Sequence, residues 1–191
     1  MKNYFFITGL PRTRSTWLAN FLTYNSGFCF HEAIRLCYKI EDMKPLLDSV
    51  SASNSGDADA MLVFYIDKII EIFPDAKWVV IKRSLEEVMD SLRKRYNFRN
   101  PEADRKLFER AEEKINNFID EHPTLVIDFN SLNERSTCEK LWNYCITDSE
   151  FDYARWMQLD VVKLDPMESK MLEYHGETPK RTVKDYVGTI R

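Results

Sequence analysis

The sequence predicts an α/β fold in which helices flank a mostly parallel central sheet. Short apolar runs rich in β-branched and aromatic residues alternate with longer segments whose apolar residues recur at helical spacing. The short runs span residues 4–8, 27–30, 78–81 and 124–127. Strands joined through helices run parallel, are covered on both faces, and bind ligands beyond their carboxyl ends. We therefore expect the loops after these four runs to meet at one edge of the sheet.

The first apolar run leads into a loop and a helix rich in hydroxyl and guanidinium groups. Gly9 and Pro11 end the run, and an amphipathic helix begins at Ser15. The first N–H groups of a helix have no partner within the helix, and the amino terminus is the positive end of the helix dipole. Arginine adds forked hydrogen-bond donors whose geometry matches oxyanions. The junction therefore predicts an anion-binding site. An ordinary βα turn with a Ser/Thr cap is the alternative interpretation.

The rest of the chain continues the alternation of strands and helices. Helical spacing recurs over residues 60–73, 85–96, 100–121, 134–146 and 151–159, and residues 33–48 are expected to be partly helical with Pro45 interrupting. The small polar stretch 49–59 is predicted to be a mobile loop or lid. Residues 161–164 fit an edge strand, and the polar tail from 167 to 191 is unassigned.

Composition narrows the class of protein. A chain of 191 residues that is 44% hydrophobic can bury one core, so residues 1–191 are expected to form a single domain. A net charge of −4 argues against a nucleic-acid partner. None of the four cysteines forms a Cys-x-x-Cys pair, and with three histidines a metal site is not expected. We expect no signal peptide and no membrane span, and therefore a cytoplasmic protein.

The loop after the first run departs from the nucleotide-binding P-loop, Gly-x-x-x-x-Gly-Lys-Ser/Thr. Counted from Gly9, Arg14 stands at the second glycine and Ser15 at the lysine, while Thr16 keeps the hydroxyl. The loop resembles instead the 5′-phosphosulfate loop of sulfotransferases, Pro-Lys/Arg-Ser/Thr-Gly-Thr/Ser-Thr-Trp-Leu. The residues that match in register are Pro11, Arg12, Thr13, Ser15, Thr16, Trp17 and Leu18, and Arg14 replaces the usual glycine.

A second segment resembles the same family. Sulfotransferases bind the 3′-phosphate of their donor with an arginine at a strand end and a serine eight residues later, and Arg83 and Ser91 have that spacing. The family's proline after the arginine is absent here, and Asp128–Leu132 resembles its Tyr-Glu-x-Leu segment. The alternative is that Arg83 pairs with Glu87 and Ser91 faces solvent. The resemblance is strongest over residues 3–145 and implies a P-loop NTPase-like three-layer sandwich.

The resemblance implies a sulfotransferase that uses 3′-phosphoadenosine 5′-phosphosulfate (PAPS) and releases 3′-phosphoadenosine 5′-phosphate (PAP). A sulfuryl group would move in line to a hydroxyl or amine of a small-molecule or glycan acceptor. No metal is implied, because a sulfuryl group carries less charge than a phosphoryl group. Arg12 would serve the leaving phosphate. The implied donor-binding residues are Pro11, Arg12, Thr13, Arg14, Ser15, Thr16, Trp17 near the adenine, Arg83 and Ser91.

The acceptor must lose a proton as it attacks. His31 and Glu32 follow the second apolar run, where several sulfotransferases place a catalytic glutamate. Glu32 is favoured because adjacent side chains on a strand point oppositely and Glu32 begins the loop. His31 is the alternative, because a neutral histidine is an adequate base near pH 7. Both residues could instead only position the loop.

Two other functions fit parts of this pattern. A P-loop kinase of small molecules would use ATP and magnesium, but the missing loop lysine and the Arg83/Ser91 pair count against it. A non-catalytic nucleotide-binding relative is favoured only by Arg14 at the glycine position. The sequence does not identify the acceptor, which could be a sugar, a peptide tyrosine, a small phenol or a lipid head group.

Overall fold

The computed structural model describes residues 2–95 and 101–160. Five parallel strands form one sheet in the order β2-β3-β1-β4-β5, so β1 lies at the centre. The strands are β1 (Asn3–Gly9), β2 (Gly27–His31), β3 (Asn54–Ala58), β4 (Lys77–Lys82) and β5 (Thr124–Asp128). The predicted parallel α/β sheet is therefore confirmed.

Helices cover both faces of the sheet. The α-helices are α1 (Ser15–Leu22), α2 (Met43–Asp48), α3 (Ile66–Ile72), α4 (Leu85–Arg95), α5 (Pro101–Glu121), α6 (Arg135–Cys145) and α7 (Tyr153–Asp160). Short 3₁₀ helices span Ala33–Leu36, Ile40–Asp42, Ala60–Phe64 and Asn130–Asn133. The segment predicted as one helix over 60–73 is thus a 3₁₀ turn followed by α3. Pro45 lies in the first turn of α2, where its missing N–H costs nothing.

Alternating side chains of the central strands build one core on each face. Ile7 and Val79 pack with α1, α6 and α7 on one face, whereas Phe6 and Val80 pack with α2, α3, α4 and α5 on the other. This is the period of two expected for strands covered on both sides. The result is the three-layer sandwich that the sequence predicts.

The prediction of a mobile loop or lid over residues 49–59 is wrong for its second half. Residues 54–58 form β3, which pairs with both β1 and β2 and is buried along its whole length. The sequence does not predict this strand, because its residues are small and polar and lack the apolar run typical of a buried strand. Two of its polar side chains are hydrogen-bonded inside the fold: Ser55 Oγ donates to Leu47 O at 3.0 Å, and Asn54 donates to Asp148.

Two expectations lie outside the described residues: the edge strand at 161–164 and the unassigned tail. Within residues 2–95 and 101–160, no helix is long and apolar enough to cross a membrane. All four cysteines are free thiols.

A glycine substitution in β3 tests whether this segment is a strand or a loop. A Cβ on Gly56 would lie 2.3 Å from the backbone oxygen of Phe5 on the adjacent central strand. Gly56→Ala should therefore lower the free energy of unfolding by about 1–3 kcal/mol, the usual effect of overpacking. Urea unfolding followed by tryptophan fluorescence measures this. The exposed Ser51→Ala is the matched control, and a Gly56→Ala effect below about 0.5 kcal/mol would mean that residue 56 lies in a loop after all.

Candidate active site

The loop between β1 and α1 lies over the centre of the sheet. A Cβ on Gly9 would lie 2.4 Å from the carbonyl oxygen of Ile81, so only glycine lets β1 pass this close to β4. The buried Thr13 closes the loop by donating from Oγ1 to Leu10 O at 2.9 Å. The first bond within α1 runs from Leu18 N–H to Arg14 O at 2.9 Å, so the N–H groups of the preceding turn point out of the helix end. An anion at this end would meet the positive end of the helix dipole.

Two arginines of this loop have left-handed backbone conformations. Arg12 has φ 68° and Arg14 has φ 62°, a region that costs a non-glycine residue about 1–2 kcal/mol. Such strain persists only where surrounding contacts hold it. Arg14 is held by a 2.9 Å hydrogen bond from Nη1 to Asn133 Oδ1, and its guanidinium lies 5.0 Å from the Phe129 ring centroid. Arg14 thus has a left-handed backbone, the conformation that glycine adopts most readily, at the position where the sulfotransferase pattern has glycine. Its side chain is turned toward the segment after β5.

The two motifs found in the sequence are in direct contact. Arg12 Nε donates to Ser91 Oγ at 3.2 Å, and Arg83 Nη1 donates to Arg12 O at 2.6 Å. The Arg83 guanidinium also lies over the Phe129 ring, 4.0 Å from its centroid. Glu87, the alternative partner of Arg83, accepts instead from Ser84 Oγ at 2.9 Å. Loops after β1 and β4 therefore build one cationic surface.

Electrostatics at this surface favour a bound anion. Burial lowers the pKa of Arg83; nearby Glu87 raises it, and the charges of Arg12 and Arg14 lower it further. Arg83 Nε is buried without a hydrogen-bond partner among the described residues. The clustered guanidinium groups of Arg12, Arg14 and Arg83 repel one another, and an oxyanion ligand would relieve that repulsion. The side chains present therefore fit a phosphate or phosphosulfate group.

His31 and Glu32 point to different parts of this edge. His31 Nε2 lies 3.1 Å from both Ser15 Oγ and Thr16 Oγ1, at the first turn of α1. Glu32 has φ 60°, and its Oε2 forms an ion pair with Arg35 Nη1 at 2.7 Å. Burial lowers the pKa of His31, an effect partly opposed by Glu32. The histidine is therefore attached to the loop after β1, while the glutamate lies at the start of the 3₁₀ helix after β2.

Two aspartates of this edge were missed by sequence reasoning. Asp57 Oδ1 accepts from Ala33 N–H at 3.0 Å, and Asp59 Oδ1 accepts from Met61 N–H at 2.7 Å. Burial raises the pKa of both carboxyl groups. Asp57 thereby holds the turn in which Glu32 adopts its left-handed backbone. A pair of acids two residues apart at a strand end is a signal for a buried polar site. It is not recognisable in the sequence because the polar residues 54–58 predict a loop.

The remaining predicted residues have more ordinary surroundings. The Trp17 ring stacks on Phe21 with centroids 5.0 Å apart, and its Nε1 donates to Leu159 O at 3.2 Å. The side chain joins α1 to α7 in the core, and its packing near an adenine stays a prediction. Pro11 lies half-buried in the loop. Across residues 2–95 and 101–160, no group of three or more His, Cys, Asp or Glu side chains is placed to hold a metal ion.

Comparison with known proteins relates the fold to a solved structure. No family model matches the chain, and no curated protein matches its sequence. The crystal structure of a sulfotransferase from Alicyclobacillus acidocaldarius superposes with a TM-score of 0.55 and 15% sequence identity. The match covers 87% of this chain and 95% of that chain. At this identity the likeness shows a shared fold.

The buried Asp57 predicts a measurable pH dependence of stability. A carboxyl whose folded-state pKa is raised contributes stability that is fully present below its unfolded-state pKa and lost as the pH rises through the folded-state pKa. Asp57→Asn removes this titration and leaves an amide oxygen to accept from Ala33 N–H. The unfolding free energy of the variant should therefore increase relative to that of the wild type as the pH rises above the unfolded-state pKa of aspartate, about 3.9. Urea unfolding at several pH values measures the difference. The exposed Asp75→Asn is the control, and a pH-independent difference for Asp57→Asn would contradict a buried carboxyl.

Proposed function

We propose that this chain is a sulfotransferase that takes its sulfuryl group from PAPS. The observation that carries the proposal is the contact between the two motifs, Arg12 with Ser91 and Arg83 with Arg12, at the carboxyl edge of neighbouring central strands. The sulfotransferase fold shared with the Alicyclobacillus protein supports it. A single donor with phosphates at both its 5′ and 3′ positions accounts for two anion-binding motifs lying side by side.

Each end of the donor has its own set of groups. The 5′-phosphosulfate would receive hydrogen bonds from the hydroxyls of Ser15 and Thr16 and from N–H groups at the start of α1. Thr13 would contribute by holding the loop, because its hydroxyl donates to Leu10 O. The 3′-phosphate would bind Arg83 and Ser91. The existing Arg12–Ser91 hydrogen bond would be exchanged for bonds from both side chains to the donor. The exchange is favourable because Arg12 would then face an oppositely charged oxyanion instead of a neutral hydroxyl, and Ser91 would donate to a charged oxygen.

Transfer requires that charge developing on the leaving group be stabilised. The acceptor oxygen or nitrogen forms a bond to sulfur while the bond from sulfur to the bridging phosphate oxygen breaks, and the electron pair stays on that phosphate. Arg12 is fixed on the loop by its strained backbone and is assigned to the leaving phosphate. Preorganised cations and N–H donors contribute most when they need not reorganise during the reaction.

The acceptor's proton is assigned to Glu32. Its carboxylate lies at the entrance to the 3₁₀ helix after β2, held by Arg35 at 2.7 Å and, through the backbone, by Asp57. His31 is the alternative base, but its Nε2 already contacts two hydroxyls of the donor loop. The free thiols fit a cytoplasmic enzyme, and the acceptor is proposed to be a small molecule or glycan.

Donor binding is tested by comparing two nucleotides on two proteins. Adenosine 3′,5′-bisphosphate should raise the melting temperature, because a ligand of the native state stabilises it by mass action. AMP should do so much less, because it lacks the 3′-phosphate. Arg83→Ala should weaken bisphosphate binding by about 10- to 150-fold, the loss of about 1.5–3 kcal/mol typical of a charge-assisted bond. Thermal shift and calorimetric titration measure both effects.

The exposed Arg93→Ala provides the matched control for this experiment, because it removes a charge from the same helix as Ser91. Equal stabilisation by AMP and the bisphosphate would contradict the assignment of Arg83 and Ser91 to a 3′-phosphate. Turnover that requires ATP and magnesium, with no transfer from PAPS, would favour the kinase alternative.

The base is tested by Glu32→Gln, which keeps the side-chain shape and an oxygen for Arg35. Turnover with PAPS should fall by about 10²–10⁴, the usual contribution of a positioned base. Affinity for adenosine 3′,5′-bisphosphate should be nearly unchanged, because Glu32 faces the acceptor. Assays over a panel of phenols, amines and sugars measure turnover. Inactive His31→Asn together with active Glu32→Gln would transfer the role to His31.

A further inference from the structure

The imidazole of His31 is shared by two hydroxyls of the donor loop. Its Nε2 lies 3.1 Å from Ser15 Oγ and 3.1 Å from Thr16 Oγ1. Both hydroxyls belong to the first turn of α1, the point at which the proposed donor would place its 5′-phosphosulfate. The histidine comes from the end of β2, so this contact links the acceptor side of the edge to the donor side.

Counting hydrogens shows that this contact exists in two distinct forms. Each hydroxyl has one hydrogen, and Nε2 has either one hydrogen or one lone pair. If the Nε2 lone pair accepts from a hydroxyl, the hydrogen of that hydroxyl is no longer free to bind an anion. If Nε2–H donates to the hydroxyl oxygens, both hydroxyl hydrogens are free. Only the second form presents two donors to a phosphosulfate group.

We infer that His31 is a positioning residue for the proposed ligand, PAPS. Its Nε2–H donates hydrogen bonds to the hydroxyl oxygens of Ser15 and Thr16, and so directs both hydroxyl hydrogens toward the bound anion. This inference rests on the proposed function, because it takes the loop as the donor site. It assigns Nε2 to the donor loop, which leaves removal of the acceptor's proton to Glu32. The side chain therefore acts through the two hydroxyls and does not touch the reacting atoms.

The surroundings of His31 make its protonation sensitive to an added anion. Burial disfavours the imidazolium and lowers the pKa of His31; the carboxylates of Glu32 and Asp59 oppose this, and Arg35 adds to it. Asp57 contributes indirectly, since its charge couples to that of Glu32 and Asp59. A phosphate dianion bound against Ser15 and Thr16 would add negative charge near the ring and an acceptor for the hydroxyl hydrogens. Both effects favour a proton on Nε2.

Donor binding and His31 protonation are then thermodynamically coupled. A ligand that raises the pKa of a group takes up a proton on binding, so its affinity increases as the pH falls through the range between the free and bound pKa values. Each unit of that difference changes the affinity tenfold. Relative to a variant without an imidazole at position 31, in which the phosphates of the ligand still titrate, the wild-type affinity for adenosine 3′,5′-bisphosphate should therefore increase on acidification until free and bound His31 are both protonated.

The experiment follows histidine ring resonances by NMR during pH titrations with and without adenosine 3′,5′-bisphosphate. The pKa of His31 should rise on binding, whereas His122, at the opposite edge of the sheet beside Phe118, serves as the unshifted reference. Spectra of the His31→Gln variant assign the His31 resonance. Either this variant or His31→Leu suffices for the assignment, and the pKa change itself is measured on the wild type.

Two variants distinguish the hydrogen bonds that His31 donates from the packing of its ring. His31→Gln keeps an N–H donor that can reach the hydroxyls, so bisphosphate affinity above about pH 8 should stay within about threefold of wild type. Below that pH, the variant should lose the part of the pH dependence that comes from His31 and keep the part that comes from the phosphates. His31→Leu keeps the bulk without a donor and should lose about 3- to 10-fold in affinity, the usual effect of a hydrogen bond. Calorimetric titration measures both.

The possible failures are distinguishable. If the wild type binds the bisphosphate but the pKa of His31 does not rise, or if His31→Leu binds as well as wild type, the inference is wrong and the proposed function stands. A wild-type affinity with the same pH dependence as that of His31→Leu, in which the phosphates still titrate but residue 31 does not, would equally overturn it. If the wild type binds no bisphosphate at any pH, the proposed function itself fails and this role for His31 fails with it.

Discussion

The hydrogen bond from Arg83 Nη1 to Arg12 O, at 2.6 Å, ties the loop after β1 to the loop after β4. It forms because these strands are neighbours at the centre of the sheet, and because Gly9 lets β1 approach the Ile81 carbonyl without a Cβ in the way. Two further guanidinium groups, of Arg12 and Arg14, then lie near Arg83 and lower its pKa. The cationic character of this edge is thus a product of strand order, and neither loop would supply it alone.

Backbone strain is concentrated at the same edge. Arg12, Arg14 and Glu32 have left-handed φ values, and each is held by contacts from a different part of the chain. Arg83 holds the Arg12 carbonyl, Asn133 holds the Arg14 side chain, and Asp57 holds the turn after Glu32. Strain maintained in this way is a feature of sites where side chains must be held in fixed positions before a ligand arrives.

Most of the fold was predictable because its strands have the apolar signature of buried parallel sheets, and its helices have amphipathic spacing. The exception is β3, whose Asn54, Ser55 and Asp57 read as a polar loop. Its burial depends on partners that are distant in sequence, such as Leu47 O for the Ser55 hydroxyl and Ala33 N–H for the Asp57 carboxylate. A conflict between local polarity and global burial is typical of functional regions; here the strand carries Asp57, and Asp59 follows directly after its end.

The sequence by itself determined the parallel α/β arrangement, the cationic loop after β1, and the spacing of Arg83 and Ser91, because these depend on local pattern and on residue type. It also contained His31 and Glu32 as adjacent polar residues at a strand end. Only the tertiary structure decided which of these groups meet: Arg12 with Ser91, His31 with Ser15 and Thr16, and Glu32 with Arg35. The physical reason is that hydrogen bonds act over about 3 Å. Whether two side chains lie that close depends on strand order and backbone conformation, which no single segment of the chain encodes.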